Sequence, residues 1–404
     1  MIALEAAISG AAYAAVALLL GTLAIGSFVL PKGEASLGGA LLSTAFFMLA
    51  AFLFIAVLSL WVQGAKLSDG NPPTLEILSR YLSRTQSGKI WLSREIYGSL
   101  LLLLLFRLQE AAKLERACGW AFFLSLPLAA GRSFMSHAAA VKQDMLIAVS
   151  ADAIHIVATA LWVGGLPVLF WALRRGTKRR DLPVGWAGKT VARFSRLALF
   201  SFVVLVLTGL YQSWIHVQSW SALFGSSYGK VLLVKLALFV SMAALGAVNF
   251  FSTRPALVNA ASDAPIGKKA LRRIGAESVL GLLILFVTGL LTVLPPGAHS
   301  QHQSFVSGAK TIQPAEGASV QILSPKNGEI VAGDRVPISF KLVGGKSGHH
   351  AHAYVDGELM GMFESRQGTL TGIGPGRHTL ELRVVAADHQ TELDASDKVE
   401  FVVK

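Results

Sequence analysis

The chain predicts an all-α polytopic membrane domain of about eight transmembrane helices followed by a small all-β sandwich, on three observations. Of its 404 residues 53% are hydrophobic and only 15% charged, a composition unlike that of a soluble domain. The apolar residues are gathered into blocks, most of them near the ~20 residues that cross a hydrocarbon core. Beyond Pro295 the blocks stop, and period-two segments separated by glycine-containing turns take their place.

Taken in order, the blocks place spans at roughly 5–30, 37–63, 90–110, 118–140, 145–173, 191–217, 228–251 and 274–295. The third carries Arg94 and Glu95, and the fourth is interrupted by Pro127, Gly131 and Arg132, so six spans remain if both fail. The first lacks a basic leader, contains Glu5 and exceeds the length of a signal-peptide core, which reads as a retained span. The helical domain therefore covers residues 1–296, and a Gly-, Ser-, Gln- and His-rich linker occupies 297–316. Residues 317–404 form the sandwich, with strands expected at 319–323, 336–342, 352–355, 378–385 and 399–403 between turns such as Asn327-Gly328 and Asp356-Gly357.

The basic residues orient the spans. Arg174, Arg175, Lys178, Arg179 and Arg180 follow the fifth, and Lys268, Lys269, Arg272 and Arg273 precede the eighth, which makes both connections cytoplasmic. The uncharged loop 218–227 then lies outside, as do both termini. The net charge of +12 is accounted for by this bias, and no nucleic-acid partner is expected.

On that topology all ten histidines fall on the outer side. His137, His155 and His216 lie in the outer halves of spans, and His299, His302, His349, His350, His352, His378 and His389 lie beyond the last one. Imidazole suits transition metals, and an ionisable group inside a span is a functional hypothesis by default. The lone Cys118 rules out an internal disulfide, a thiolate cluster or a CxxC pair and reads as a small buried hydrophobe. Any metal site must then use His, Met or carboxylate, and no ATP-coupling motif is present.

In the fifth span Asp152 and His155 stand three apart and share a helix face with Thr159 and Trp162, a polar stripe that must meet protein or water. Met135 and His137, with Asp144 and Met145 across a short loop, offer thioether, imidazole and carboxylate at the outer surface. Each of these has a plainer reading too: a histidine as a hydrogen-bonded helix contact, a methionine as packing. Lys235 in the seventh span either snorkels or pairs with Asp152. Arg94 and Glu95 are expected to be solvated near the outer end of theirs. Glu277 and Asn249, expected near the inner ends of the eighth and seventh spans, are the polar candidates for a cytoplasmic exit or are merely interfacial. In Gly348-His349-His350-Ala351-His352, strand alternation places His350 and His352 on one face and His349 on the other, a possible Cu(II) or Zn(II) site or a solvated strand start.

The run His155 to Leu166, with Trp162, Gly164 and Gly165, then Arg193-Phe-Ser195-Arg196, Thr208-Gly209-Leu, Tyr228 to Lys235 and the segment from Glu277 to Pro296 together resemble the copper resistance protein D family. The resemblance runs in order over residues 145–296, and Ser136-His137-Ala138-Ala139 is similar to that family's Gly-His-Ala motif with serine in place of glycine. It implies copper as cargo, a bacterial inner membrane with both termini periplasmic, delivery from the periplasm inward and, as a partner, a periplasmic copper chaperone. The metal-handling residues would be Met135, His137, Asp152, His155, His216, His349, His350 and His352. Residues 317–404 resemble a bacterial immunoglobulin-like domain rather than the fused copper chaperone of some relatives, whose N-terminal histidine this tail lacks. No enzymatic activity is expected. Two other readings stand beside this one: a b-type haem redox protein using two intramembrane histidines, and an accessory factor for assembling a cuproenzyme.

Overall fold

The computed structural model describes residues 2–31, 35–68, 70–109, 114–134, 145–176, 185–217, 219–258, 267–294, 312–331, 333, 335–363, 366–371, 373–386 and 391–403. It divides into two compact units, Met1–Ser300 and Gln301–Lys404. The first is helical: α1 (Ile2–Ala24, continued by a π turn Ile25–Val29), α2 (Ala35–Lys66), α3 (Leu75–Arg84), α4 (Gln86–Leu108), α5 (Leu114–Ser133), α6 (Met145–Thr159, with a π turn Ala160–Gly164), α7 (Gly165–Gly176), α8 (Trp186–Val217), α9 (Trp220–Gly225), α10 (Ser227–Val248, with a π turn Asn249–Thr253), α11 (Arg254–Val258) and α12 (Lys268–Leu291).

Six of these segments, 2–29, 37–66, 145–176, 186–215, 227–258 and 268–291, are long and apolar enough to cross a membrane. The third and fourth expected spans do form helices, α4 and α5, but their composition falls short. Lys89, Arg94, Glu95 and Arg107 interrupt α4, and Glu115, Arg116 and Arg132 bound a short apolar stretch in α5. Arg94 and Glu95, expected to be solvated, are instead enclosed: their side chains are 6% and 13% exposed, 3.4 Å apart, with the guanidinium 5.2 Å from the Phe52 ring. A charge that leaves water needs a partner and a polarisable neighbour, and these supply both.

From Ile8 onward α1 is apolar on every side and has no exposed residue, because neighbours enclose it there. Its small residues let other backbones approach. A side chain on Gly164 would strike the Ala17 carbonyl, and one on Gly289 would strike Ala6 and Gly10. In contrast, Leu199, Phe200, Val203, Leu207 and Leu210 of α8 and Val234, Leu236 and Val240 of α10 are exposed. Large apolar side chains turned outward in such numbers fit contact with lipid.

The second unit is a β-sandwich of β1 (Ile312–Gln313), β2 (Ala318–Ser324), β3 (Glu329–Val331), β4 (Arg335–Gly344), β5 (Gly348–Val355), β6 (Glu358–Phe363), β7 (Gln367–Thr371), β8 (Gly376–Ala386) and β9 (Glu392–Val403). One sheet has the order β1-β9-β8-β5-β6 with β3 also on β9, and the other has the order β2-β4-β7. The core lies between them, around Phe340, Ala351, Ala353, Leu380, Leu382 and Phe401. All five expected strands are present, and β1, β3, β6 and β7 are additional. The Asp356-Gly357 turn between β5 and β6 has φ of 51° and 86°, the left-handed pair that a two-residue hairpin requires.

Candidate functional site

A cavity of about 560 Å³ lies among α1, α6, α8, α9, α10 and α12. Its wall is largely apolar, with Val16, Leu205, Leu232, Phe239 and Ile284. Into it come Tyr13 of α1, Asp152, His155 and Thr159 of α6, Gln212 and Ser213 of α8, Tyr228 and Lys235 of α10 and Thr288 of α12. The i, i+3 spacing that put Asp152 and His155 on one face thus places both in one chamber, and Lys235 joins them from a helix 80 residues later.

Hydrogen bonds fix two of these groups. Gln212 Nε2 donates to Asp152 Oδ1 at 3.3 Å. His155 Nδ1 lies 2.8 Å from Thr208 Oγ1, which also lies 2.7 Å from the Val204 carbonyl. With its hydrogen on that carbonyl the hydroxyl accepts from Nδ1, which would leave the ring's lone pair on Nε2; with its hydrogen on Nδ1 the tautomer is reversed. The first arrangement, with an outer partner on Nδ1, is one in which a histidine can ligate a metal through Nε2.

Trp162, expected on the same stripe, is not in the chamber wall. From Ala160 the helix opens into a π turn, and Trp162 Nε1 donates instead to Glu277 Oε1 of α12 at 3.0 Å. Asn249 Nδ2 donates to Glu277 Oε2 at 2.7 Å, Thr253 Oγ1 to Asn249 Oδ1 at 3.0 Å, and Arg273 Nη1 to Thr253 Oγ1 at 3.3 Å. The two residues read as separate exit candidates are thus one hydrogen-bonded group. Glu277 lies nine residues into α12, and Asn249 opens the π turn through which α10 runs into α11.

Of the remaining expected metal residues, Met135 and His137 lie outside the described residues, as do Asp144, His299, His302 and His389. His216 is in α8, with only its backbone described. In β5, His349 is exposed while His350 and His352 are buried, and their Nε2 atoms are 3.0 Å apart. Below them Tyr354 donates to Glu392 at 2.8 Å, and Arg383 bridges Glu392 and Glu381 at 2.9 and 2.6 Å. Those two carboxylates hold the Arg383 guanidinium above its ordinary range. No group of three or more His, Cys, Asp or Glu suited to a metal ion occurs among the described residues, so the twin imidazoles supply two ligands rather than three.

Two family models divide the helical unit between them. The one described as "Copper resistance protein D-like, N-terminal domain" matches residues 2–145, and "Copper resistance protein D" matches residues 188–291. The membrane domain belongs to the copper resistance protein D family. A relative described as Copper transport protein CutJ, from Bacillus subtilis (strain 168), is 30% identical over 257 residues, which is 62% of this chain and 44% of that one. The match thus spans less than half of the relative's length. In the β unit, residues 309–388 match the Penicillin-Binding Protein C-terminus Family. Among solved structures, the fibronectin(III)-like modules of Clostridium thermocellum CbhA align with 21% of this chain and 94% of theirs, at 24% identity and a TM-score of 0.19.

Proposed function

We propose that this protein is a copper transport or homeostasis protein of the bacterial inner membrane, with both termini periplasmic, that accepts copper ions on the periplasmic side and passes them inward. The observation that carries this reading is the chamber in which Asp152 and His155 converge, with the imidazole hydrogen-bonded to Thr208. Carboxylate and imidazole in a mostly apolar space suit a cation that must leave water. Met135, His137 and His216 form the outer approach, α4 and α5 complete eight crossings, and the paired imidazoles of His350 and His352, with His349 at the rim, capture metal in the periplasm. A periplasmic copper chaperone is the natural donor.

Copper content of the purified protein tests the reading, with His155→Ala as the deciding variant. It is expected to lose the ion bound in the membrane domain while inserting and expressing normally. Thr208→Val, which removes only the outer partner, should weaken binding by roughly 10- to 100-fold. Full copper binding by His155→Ala excludes the chamber as the site. An absorption band near 400 nm, roughly the haem Soret region, would favour a haem protein instead.

A further inference from the structure

We infer that Trp162 is the inner gate of the chamber and that Glu277 is the positioning residue that holds it shut; the direction of passage rests on the inward-transport reading above. Followed along each helix toward the end that this reading makes cytoplasmic, the chamber lining stops at Val163 on α6, Leu205 on α8, Phe239 on α10 and Ile284 on α12.

Immediately beyond those residues the bundle is filled. Phe202 stands one turn before Leu205, Met242 one turn after Phe239 and Gly281 one turn before Ile284, while Trp162 is the neighbour of Val163. The indole meets Phe202 and Phe239 edge-on at 5.9 and 6.1 Å, and those two phenyl rings stack at 5.9 Å, so three rings join three helices in one layer. The layer closes on two glycines. A side-chain carbon at Gly246 would come within 3.4 Å of the Trp162 ring, and one at Gly281 within 2.7 Å of Val163. Anything that leaves the chamber inward meets this floor.

Packing alone does not hold the indole in place. Its Nε1 donates to Glu277 Oε1 at 3.0 Å, and Glu277 is in turn fixed by Asn249 on Oε2 at 2.7 Å, behind which Thr253 and Arg273 continue the chain. Both carboxylate oxygens are thereby engaged with protein donors, and what Glu277 offers the chamber is a fixed acceptor for the ring that closes it. The chain runs from the floor to Arg273, at the basic end of α12.

The two parts of this latch that differ most from ordinary helix are the parts that would have to shift. Trp162 lies in the π turn 160–164, and Asn249 and Thr253 bound the π turn 249–253, a departure from α geometry that recurs at functional sites. Swinging the indole aside removes a donor from a buried carboxylate, which makes the closed position the resting one. Glu277 is 3% exposed, so water does not replace the lost donor unless the floor itself opens.

Cysteine accessibility in membrane vesicles of the full-length chain tests this. In a Cys118→Ala background, Thr159→Cys is a small change on the chamber wall one turn above the floor. A small impermeant methanethiosulfonate is expected to label it from the periplasmic side and not from the cytoplasmic side of inverted vesicles. Addition of Trp162→Ala should admit the reagent from the cytoplasmic side. Trp162→Phe, which keeps a ring and loses only the bond to Glu277, should speed labelling from that side by roughly 10- to 100-fold, the weight of one hydrogen bond to a charged group. Trp214→Ala, which removes an equally large but exposed ring, should leave the thiol protected. Labelling from the periplasmic side reports an intact chamber in every variant, and if Trp162→Ala loses it, Trp162→Phe decides. Protection from the cytoplasmic side in the Trp162 variants, with periplasmic labelling intact, would overturn the gate, as would labelling of the parent from both sides. The labelling needs no copper, so a floor that opens in a protein that binds no copper would leave the gate standing and remove the cargo.

Discussion

His155 and His378 show how differently one residue type is used when its surroundings differ. His155 sits in an apolar wall with one fixed partner, whereas His378 lies at the surface with Nδ1 2.7 Å from Asp356 Oδ2 and Nε2 2.8 Å from the Gly374 carbonyl. The hydrogen bond to Asp356 raises the His378 pKa above its usual 6.5, and that same bond, with the Thr379 amide, lowers the Asp356 pKa below 3.8. A raised histidine pKa stabilises the fold below the unfolded value and is lost as pH rises through the folded one. A lowered aspartate pKa stabilises above its unfolded value and is lost as pH falls through the folded one. The pair therefore contributes most between about pH 4 and 6.5, by less than ~1 kcal/mol given its exposure. Protection of the Thr379 amide, which donates to Asp356 Oδ1, relative to its intrinsic exchange rate at each pH should be greatest in that window, and Asp356→Asn, which tolerates the left-handed turn, should flatten the profile. A profile unchanged by Asp356→Asn would show that the pair does not titrate with folding. At this scale spacing was informative where partners are close in sequence: three residues for Asp152 and His155, two for His350 and His352. It could not reveal the bond from Trp162 to Glu277, which spans 115 residues and depends on a π turn that no periodicity announces.

Among the elements, α6 carries the most constraint. It carries Asp152 and His155 into the chamber, while the π turn that continues it must lie directly on α1. Gly164 makes that possible, since any side chain there meets the Ala17 carbonyl. Gly164→Val should force the two helices apart and cost about 1–3 kcal/mol or more, read as a lower unfolding temperature in detergent and a loss of copper from the chamber. Gly225→Val, at a position with open space around it, is the matched control and should change neither. Equal effects of the two substitutions would mean that the close approach is not what Gly164 provides. The six long apolar helical segments and five strands were legible because their apolar patterns are continuous. β6 and β7 were not, because Gly361 and Gly368 stand where a strand pattern calls for side chains, and only the fold shows that the Phe363 ring occupies the space above both. The extra turns of α10 and α12 were missed for a related reason: polar and basic residues that signal a loop are carried there by helix.

For the whole molecule, the histidine argument depends on which way the bundle faces. With Arg174–Arg180 and Lys268–Arg273 cytoplasmic, residues 218–227 and the β unit are each separated from a basic segment by one span and lie outside. In a Cys118→Ala background, Ser221→Cys and Ser347→Cys should react with an impermeant maleimide added to spheroplasts, and Thr177→Cys only after lysis. The opposite pattern would make the chamber open to the cytoplasm. Composition made the membrane class and the two-part organisation legible, and loop charge yields an orientation. The convergence of six helices on one cavity was beyond reach, because Tyr13, Asp152, Gln212, Tyr228 and Thr288 share no motif and meet only once the bundle has closed. The β unit has a further property, which concerns time rather than space. β9 is the last of its strands in the chain, yet it lies inside its sheet, with β8 on one side and both β1 and β3, running parallel to it, on the other. While the chain is being made, β8 has only β5 beside it, and β1 and β3 have no strand in that sheet to pair with. The sheet therefore cannot form progressively behind the emerging chain. Strands that are long since synthesised wait, with their apolar faces open, until residues 392–403 arrive and close the sheet in a single step.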